Sequence, residues 1–180
     1  MRAGLGWAAL ALALLAAAGL GYIRLAPSDP MVWHLDMGQP DFQPPETAHV
    51  FCLRPEDRHG PITGDPTELL ARLDAVALAS PRTERLAGSA TAGRITWISR
   101  SAVFGFPDFT TAQVLAGPSL CVMGRQRFGS QDWGVNAKRI GGWMQALWKR
   151  SFALPCVLAA GFGFPKPPGR DDHRQRPPAS

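Results

Sequence analysis

The feature that most constrains this chain is an uncharged apolar run of 21 residues near its start, from Ala3 to Ile23. About 20 apolar residues in a helix are enough to cross a hydrocarbon core of about 30 Å. Trp7 and Tyr22 lie near the two ends of the run, where aromatic side chains commonly meet the membrane interface. The sequence therefore predicts that residues 1–24 form a single transmembrane helix, which holds the rest of the chain beside a membrane.

A cleaved signal peptide is the alternative interpretation of the same segment. Three alanines at positions 16–18 offer a small-residue cleavage site, but the apolar run continues past them to Ile23. Arg2 and the amino terminus flank one end and Arg24 flanks the other, so the positive-inside rule gives only a small preference for an inside N-terminus. We expect an uncleaved anchor with the domain on the outer side of the membrane, and cleavage stays open.

Basic residues are concentrated late in the folded part of the chain. The formal net charge is +5 over 180 residues, and residues 121–150 alone contribute +5, through six basic residues against Asp132. Such a patch attracts phosphates, anionic lipid headgroups or other acidic partners, although a solvated basic helix face explains it equally well. Nucleic acid is not an expected partner, because the membrane anchor argues against it.

Three widely spaced cysteines, Cys52, Cys121 and Cys156, do not form the pattern of a disulfide framework. We expect buried free thiols, with a Cys52–Cys121 bridge as the alternative if the domain lies in an oxidising compartment. His49 and Cys52 are three apart on a predicted strand, so their side chains point to opposite faces and do not chelate one ion. The sequence therefore predicts neither a metal site nor a cofactor.

Residues 25–47 are predicted to be a linker, because five prolines there remove amide donors and interrupt helices. Trp33 and Phe42 within it indicate that the linker packs on the domain. A helix is predicted to start at Asp65, which can cap it, with Pro66 at the first helical position. A second helix is predicted over residues 135–150, where apolar residues recur at helical spacing.

Four strands are predicted, over residues 48–53, 94–100, 110–115 and 119–127. The short connectors between the last three favour antiparallel hairpins. The element order predicts an α+β fold, in which a small antiparallel sheet has two helices packed on one face and is preceded by the N-terminal transmembrane helix. This domain would span residues 48–150, and residues 151–180 would form a disordered tail rich in proline and charge.

Three stretches of the domain carry unusual motifs. They are Pro81-Arg82-Thr83, Arg100-Ser101-x-x-Phe104-Gly105-Phe106-Pro107-Asp108 and Arg125-x-Arg127-Phe128-Gly129-x-x-Asp132-x-Gly134-Val135-Asn136-x-x-Arg139. With these motifs, residues 45–148 resemble the bacterial family called domain of unknown function 1499. The chain departs from the family's usual pattern at Ala102, where arginine is common, and at Gln131, where serine is common. The resemblance implies a fold and a membrane or envelope setting, and it implies no activity.

The stretch from Arg125 to Arg139 is the main candidate for a binding site. Arg125 and Arg127 lie two apart on a strand and share a face, and Asn136 can cap the helix that follows. Two arginines beside a helix N-terminus would form a pocket for phosphate or carboxylate. The structural alternative is that Asp132 pairs with Arg127 or Arg139 and that Asn136 serves only as a cap.

Arg100 and Asp108 flank a turn, and they are either a second arm of the same pocket or an exposed ion pair. The candidate ligand-binding residues are therefore Arg100, Arg125, Arg127, Asp132, Asn136 and Arg139, and no residue is assigned a catalytic role. Convergence of these side chains in a concave pocket would favour a ligand, and mutual pairing on a convex surface would favour the structural alternative.

The function expected from these features is non-enzymatic. The chain would be a single-pass protein of the bacterial cytoplasmic membrane, with its domain on the periplasmic side. The domain would bind an anionic lipid headgroup, a small anion or a protein partner. The alternative is an envelope enzyme acting on a phosphate- or carboxylate-bearing substrate, with Asp108 or Asp132 as the base.

Overall fold

The computed structural model describes residues 2–54, 65–117, 119–129 and 132–151. Within these ranges the helices are α1 (Arg2–Leu25), α2 (Pro30–Trp33), α3 (Pro66–Leu78) and α4 (Val135–Ser151). The strands are β1 (His49–Leu53), β2 (Thr83–Ser89), β3 (Arg94–Arg100), β4 (Pro107–Leu115) and β5 (Ser119–Gln126). The predicted tail beyond residue 151 lies outside the described residues.

The five strands form one sheet in the order β1-β5-β4-β3-β2, and every neighbouring pair is antiparallel. The predicted α+β fold is therefore confirmed. Strand β2 was not predicted, because it is an edge strand whose residues are all exposed or half-buried and show no apolar alternation. A register shift between Arg85 and Ala87 further interrupts its pattern. Strand β2 forms by pairing with β3, and no pattern within residues 83–89 predicts that pairing.

Helices α3 and α4 pack on one face of the sheet, which we call the helix face, as predicted. Asp65 caps α3 by accepting a hydrogen bond from the Thr67 amide at 3.0 Å. The buried core between helices and sheet includes Leu70, Leu73, Trp97, Leu120, Val122, Ile140, Trp143 and Leu147. Trp97 and Trp143 meet edge to face with ring centroids 5.5 Å apart. The indole of Trp97 also donates to buried Asp74, which forms an ion pair with Arg85.

Residues 26–47 cover the opposite face of the sheet, which we call the linker face. Trp33 stacks on Phe109 of β4 with ring centroids 3.9 Å apart. Met37 packs with Cys121 and Met123 of β5, and Phe42 lies against the same cluster. The linker therefore packs on the domain, as its aromatic residues indicated, and the sheet has a covered surface on both faces.

Cys52 of β1 and Cys121 of β5 lie directly opposite each other in the sheet and form a disulfide. The expectation of free thiols was therefore wrong for this pair. The sequence could not distinguish the two alternatives, because the register of β1 against β5 is what brings two residues 69 positions apart into contact. Cys156 lies outside the described residues.

Helix α1 contains an apolar span, Gly6–Leu25, with a mean hydropathy of 1.8 and none of its residues buried against the domain. This length and composition suit either a membrane anchor or a signal sequence. The C-terminal end of the helix contacts the domain. The Arg24 guanidinium donates to the carbonyl oxygens of Val103 at 3.1 Å and Phe104 at 3.4 Å. The loop between β3 and β4 is thereby tied to the end of α1.

Candidate anion-binding groove

The structure divides the six candidate residues between the two faces of the sheet. Side chains alternate along β5, so Arg125 and the following Arg127 lie on the linker face with Met123. Helix α4, which carries Asn136 and Arg139, packs on the helix face. The two strand arginines and the start of α4 therefore do not form one pocket.

Arg125 and Arg127 hold the linker against the sheet. Arg125 donates to the carbonyl oxygens of Val32 at 3.2 Å and Trp33 at 3.0 Å, and its guanidinium lies 4.5 Å from the centre of the Trp33 ring. Burial lowers the pKa of Arg125. Arg127 donates to the carbonyl oxygen of Pro27 at 2.6 Å. These contacts occupy both arginines with backbone carbonyls of the linker.

Asp132 is the residue that caps α4. It accepts hydrogen bonds from the amides of Gly134 at 2.8 Å and Asn136 at 3.2 Å. Burial opposes ionisation of this carboxyl, but the two amide hydrogen bonds outweigh it and hold its pKa below the usual range. The expected pairing of Asp132 with Arg127 or Arg139 is therefore replaced by a capping role, which the sequence analysis had assigned to Asn136.

Asn136 lies fully buried between α4 and β5. Its side-chain oxygen accepts a hydrogen bond from Arg139 at 2.6 Å. The close approach depends on Gly124 of β5, because a Cβ at that position would lie 2.9 Å from the Cβ of Asn136. Asn136 therefore positions Arg139 and does not cap the helix.

Arg139 forms an ion pair with Asp108 at 2.9 Å, and each side chain is 16% exposed. Burial raises the pKa of Asp108, and the hydrogen bond from Arg139 acts in the opposite direction. Asp108 thus pairs with Arg139, whereas the sequence analysis had paired it with Arg100. Arg100 remains without a carboxylate partner in the described part of the chain.

An open groove of about 710 Å³ lies beside this ion pair, between the C-terminal end of α3, the first residues of β2, the end of β3 and helix α4. We call it the basic groove, because four cationic residues line it: Arg82, Arg100, Lys138 and Arg139. The lining also includes Ser80, Thr83 and Ser101, together with Trp143 and Ala146. None of the described residues that line it is acidic.

Three of these four cations have no carboxylate within ion-pair distance among the residues that the structure describes. Arg82 donates to the backbone carbonyl of Arg100 at 3.1 Å, and Arg100 reaches the carbonyls of Arg24 and Gly105 only at 3.5 Å. Lys138 is exposed. Because these charges come from three different elements and are not neutralised locally, they give the groove a positive potential.

Arg82 has a backbone φ of 55°, a left-handed conformation that costs a non-glycine residue of order 1–3 kcal/mol. At this turn between α3 and β2, the Arg100 amide donates to the Arg82 carbonyl at 3.0 Å, and the Arg82 guanidinium donates to the Arg100 carbonyl at 3.1 Å. Arg82 and Lys138, which line the groove, were not among the candidate residues predicted from the sequence. The signal for Arg82 was its place in the Pro81-Arg82-Thr83 motif.

A second hollow of about 690 Å³ shares Arg82, Arg100 and Ser101 with the basic groove. It extends the concave surface as far as Arg24 at the end of α1, and its lining includes Glu84. The groove is therefore continuous with the point where the apolar helix joins the domain.

The family described as Protein of unknown function (DUF1499) matches residues 34–147. The matched region begins in the linker and includes the whole sheet, α3 and most of α4. A comparison with curated proteins finds no match. Since the match covers more than half of the 180 residues, the chain belongs to the DUF1499 family of proteins of unknown function.

Proposed function

We propose that this protein is a bacterial cell-envelope protein, anchored in the cytoplasmic membrane by α1, whose basic groove binds a ligand carrying a phosphate or carboxylate group. The observation that carries the proposal is that Arg82, Arg100 and Lys138 line one groove and have no carboxylate partners among the described residues. Arginine and lysine side chains bind such anions through charge-assisted hydrogen bonds.

The disulfide supports a location of the domain on the periplasmic side. Disulfides persist in oxidising compartments such as the periplasm and are rare in the bacterial cytoplasm. The Cys52–Cys121 bridge therefore agrees with an N-terminus inside and a domain outside. A reporter enzyme fused to the C-terminus tests this orientation, because a reporter active only in the cytoplasm would contradict it.

Binding is favoured over catalysis because both candidate bases have other partners. The oxygens of Asp132 accept amide hydrogen bonds from the start of α4, and Asp108 is paired with Arg139. A general base must reach the substrate proton with a free lone pair. The enzyme alternative would require Asp108 to take up the substrate proton through Oδ1, because Oδ2 accepts from Arg139.

The test is titration of the full chain, held in phosphatidylcholine nanodiscs, with inorganic phosphate, glycerol phosphate and succinate. We expect calorimetry to detect binding of at least one of these anions. Loss of a charge-assisted hydrogen bond is worth roughly 1.5–3 kcal/mol, so Arg100→Ala should weaken binding roughly tenfold or more.

The matched control is Lys149→Ala, which removes one positive charge from the far end of the helix that carries Lys138. This control should leave the affinity nearly unchanged. Absence of binding to all three anions would overturn the proposal, and so would equal weakening by Arg100→Ala and Lys149→Ala. Turnover of the bound compound would instead support the enzyme alternative.

A further inference from the structure

We infer that the end of the domain next to α1 is a second membrane contact, in which the loop of residues 101–106 and the side chain of Trp133 lie in the lipid headgroup layer. The inference rests on the membrane anchoring proposed above. It adds that the domain lies directly on the leaflet where α1 ends, with the basic groove open toward the headgroups of that leaflet.

The depth of the loop follows from its contacts with the last turn of α1. The Arg24 side chain donates to the carbonyls of Val103 and Phe104. The ring of Tyr22 packs edge to face against that of Phe128, with ring centroids 6.1 Å apart. Since a helix rises about 1.5 Å per residue, these contacts lie within about 5 Å of the end of the apolar span, measured along the helix axis. If α1 crosses a bilayer, the loop is at the level of the interface.

An aromatic chain connects the loop to α1. The ring centroids of Phe104 and Phe106 lie 5.8 Å apart, and those of Phe106 and Phe128 lie 6.0 Å apart. Phe128 in turn contacts Tyr22. Aromatic side chains are typical of membrane interfaces, because they combine apolar area with a quadrupole that tolerates the headgroup region. The contact between domain and helix thus has the chemistry of an interfacial belt.

The side chains that project from this end are unusually apolar for a surface in water. Val103 is 70% exposed, Phe104 is 50% exposed and Trp133 is 89% exposed. Trp133 has a backbone φ of 50°, and it borders a hollow that Phe106 and Phe128 also line. Exposed aromatic residues grouped in this way mark a contact surface, and here the surface is continuous with the apolar helix.

Positive charge accompanies the apolar groups. Arg24, Arg82 and Arg100 line the hollow beside the loop, and Lys138 lies in the first turn of α4, which begins at the same end of the sheet. Anionic headgroups attract basic residues close to a membrane surface. The turn of residues 90–93, at the opposite end of the sheet, contains neither a charged nor an aromatic residue. This asymmetry points to an anionic lipid surface as the occupant.

The experiment measures the depth of two labels in the full chain reconstituted in vesicles of phosphatidylcholine and phosphatidylglycerol. One variant carries Val103→Cys and the other carries Thr91→Cys in the turn at the opposite end of the sheet. Each also carries Cys156→Ser, so that a fluorophore reacts only with the introduced thiol while Cys52 and Cys121 stay bridged.

We expect iodide to quench the fluorescence of the label at position 103 several-fold less than that of the label at position 91. Lipids brominated on the acyl chain near its carbonyl should quench only the label at position 103. Replacing phosphatidylglycerol by phosphatidylcholine should reduce the lipid quenching at position 103. Equal iodide quenching at both positions would overturn the inference. Protection from iodide without quenching by brominated lipid would also overturn it, because protein would then cover the loop.

This outcome is separable from that of the anion titration. If anions bind in the groove but the label at position 103 stays in water, the membrane contact is refuted and the proposed function stands. If the label lies in lipid but no anion binds, the contact stands and the groove is not a ligand site.

Discussion

Two pairs of arginines in this protein have the same side-chain chemistry and different surroundings. On the linker face, Arg125 and Arg127 donate to backbone carbonyls of Trp33 and Pro27. In the basic groove, Arg82 donates to one backbone carbonyl at 3.1 Å, and Arg100 reaches backbone carbonyls only at 3.5 Å. None of these four arginines has a carboxylate partner among the described residues. The difference teaches that arginines of the family motifs are not equivalent, and that their hydrogen-bond partners distinguish those that hold the linker from those that we propose to bind a ligand.

The largest expected effect on the free energy of unfolding comes from loss of the disulfide, which also lies on the linker face. Replacing Cys52 and Cys121 by alanine removes a cross-link between residues 69 positions apart and should lower the free energy of unfolding by roughly 3–4 kcal/mol. Chemical denaturation of the full chain measures this change. Anion affinity should stay the same, and a parallel loss of affinity in the folded variant would show that the two faces are coupled.

Arg125→Ala and Arg100→Ala should separate stability from binding. Arg125→Ala leaves two linker carbonyls without their charged donor, so it should cost about 2 kcal/mol of unfolding free energy and leave anion affinity unchanged. Arg100→Ala should change stability by at most about 0.5 kcal/mol, as is usual for a surface substitution, and should lose affinity. If both variants lost the same property, the comparison between the two pairs would fail.

Two substitutions at Asp132 test whether this residue caps α4. Asp132→Ala should cost about 1 kcal/mol at neutral pH through the lost cap, whereas Asp132→Asn keeps a capping oxygen and should cost little. Because the native pKa of Asp132 is lowered, its charge stabilises the fold above the ordinary carboxyl pKa of about 4, and this contribution is lost as the pH falls through the native pKa. Unfolding curves from neutral to acidic pH should therefore decline less steeply for Asp132→Asn than for the parent protein.

The smallest effect concerns the strained backbone of Arg82. Arg82→Gly and Arg82→Ala remove the same side chain, but only glycine adopts a φ of 55° without strain. The glycine variant should be about 1 kcal/mol more stable than the alanine variant, and both should bind anions more weakly than the parent protein. Equal stability of the two variants would show that the turn relaxes when the side chain is removed.

Local patterns predicted much of the fold. The cap at Asp65 predicted the start of α3, and the strand predicted over residues 94–100 matches β3, because the signals for both act within a few residues. The edge strand β2 was not predicted, since its residues are exposed or half-buried without alternation and its hydrogen-bond partners lie in β3. Of the groove residues, Arg100 and Arg139 were predicted, whereas Arg82 and Lys138 were not.

The sequence by itself determined the apolar helix, the α+β class, the position of the basic motif and the family. It could do so because length, periodicity and motif spacing are properties of the chain as written. Only the tertiary structure decided which cations line a groove, which carboxylates are occupied and which cysteines are bridged. Apart from the local contacts of Asp132, those outcomes depend on partners far away in sequence, as in the contact of Arg125 with Val32, which are 93 positions apart. Side-chain partners at that separation follow from strand register and packing, and no local pattern records them.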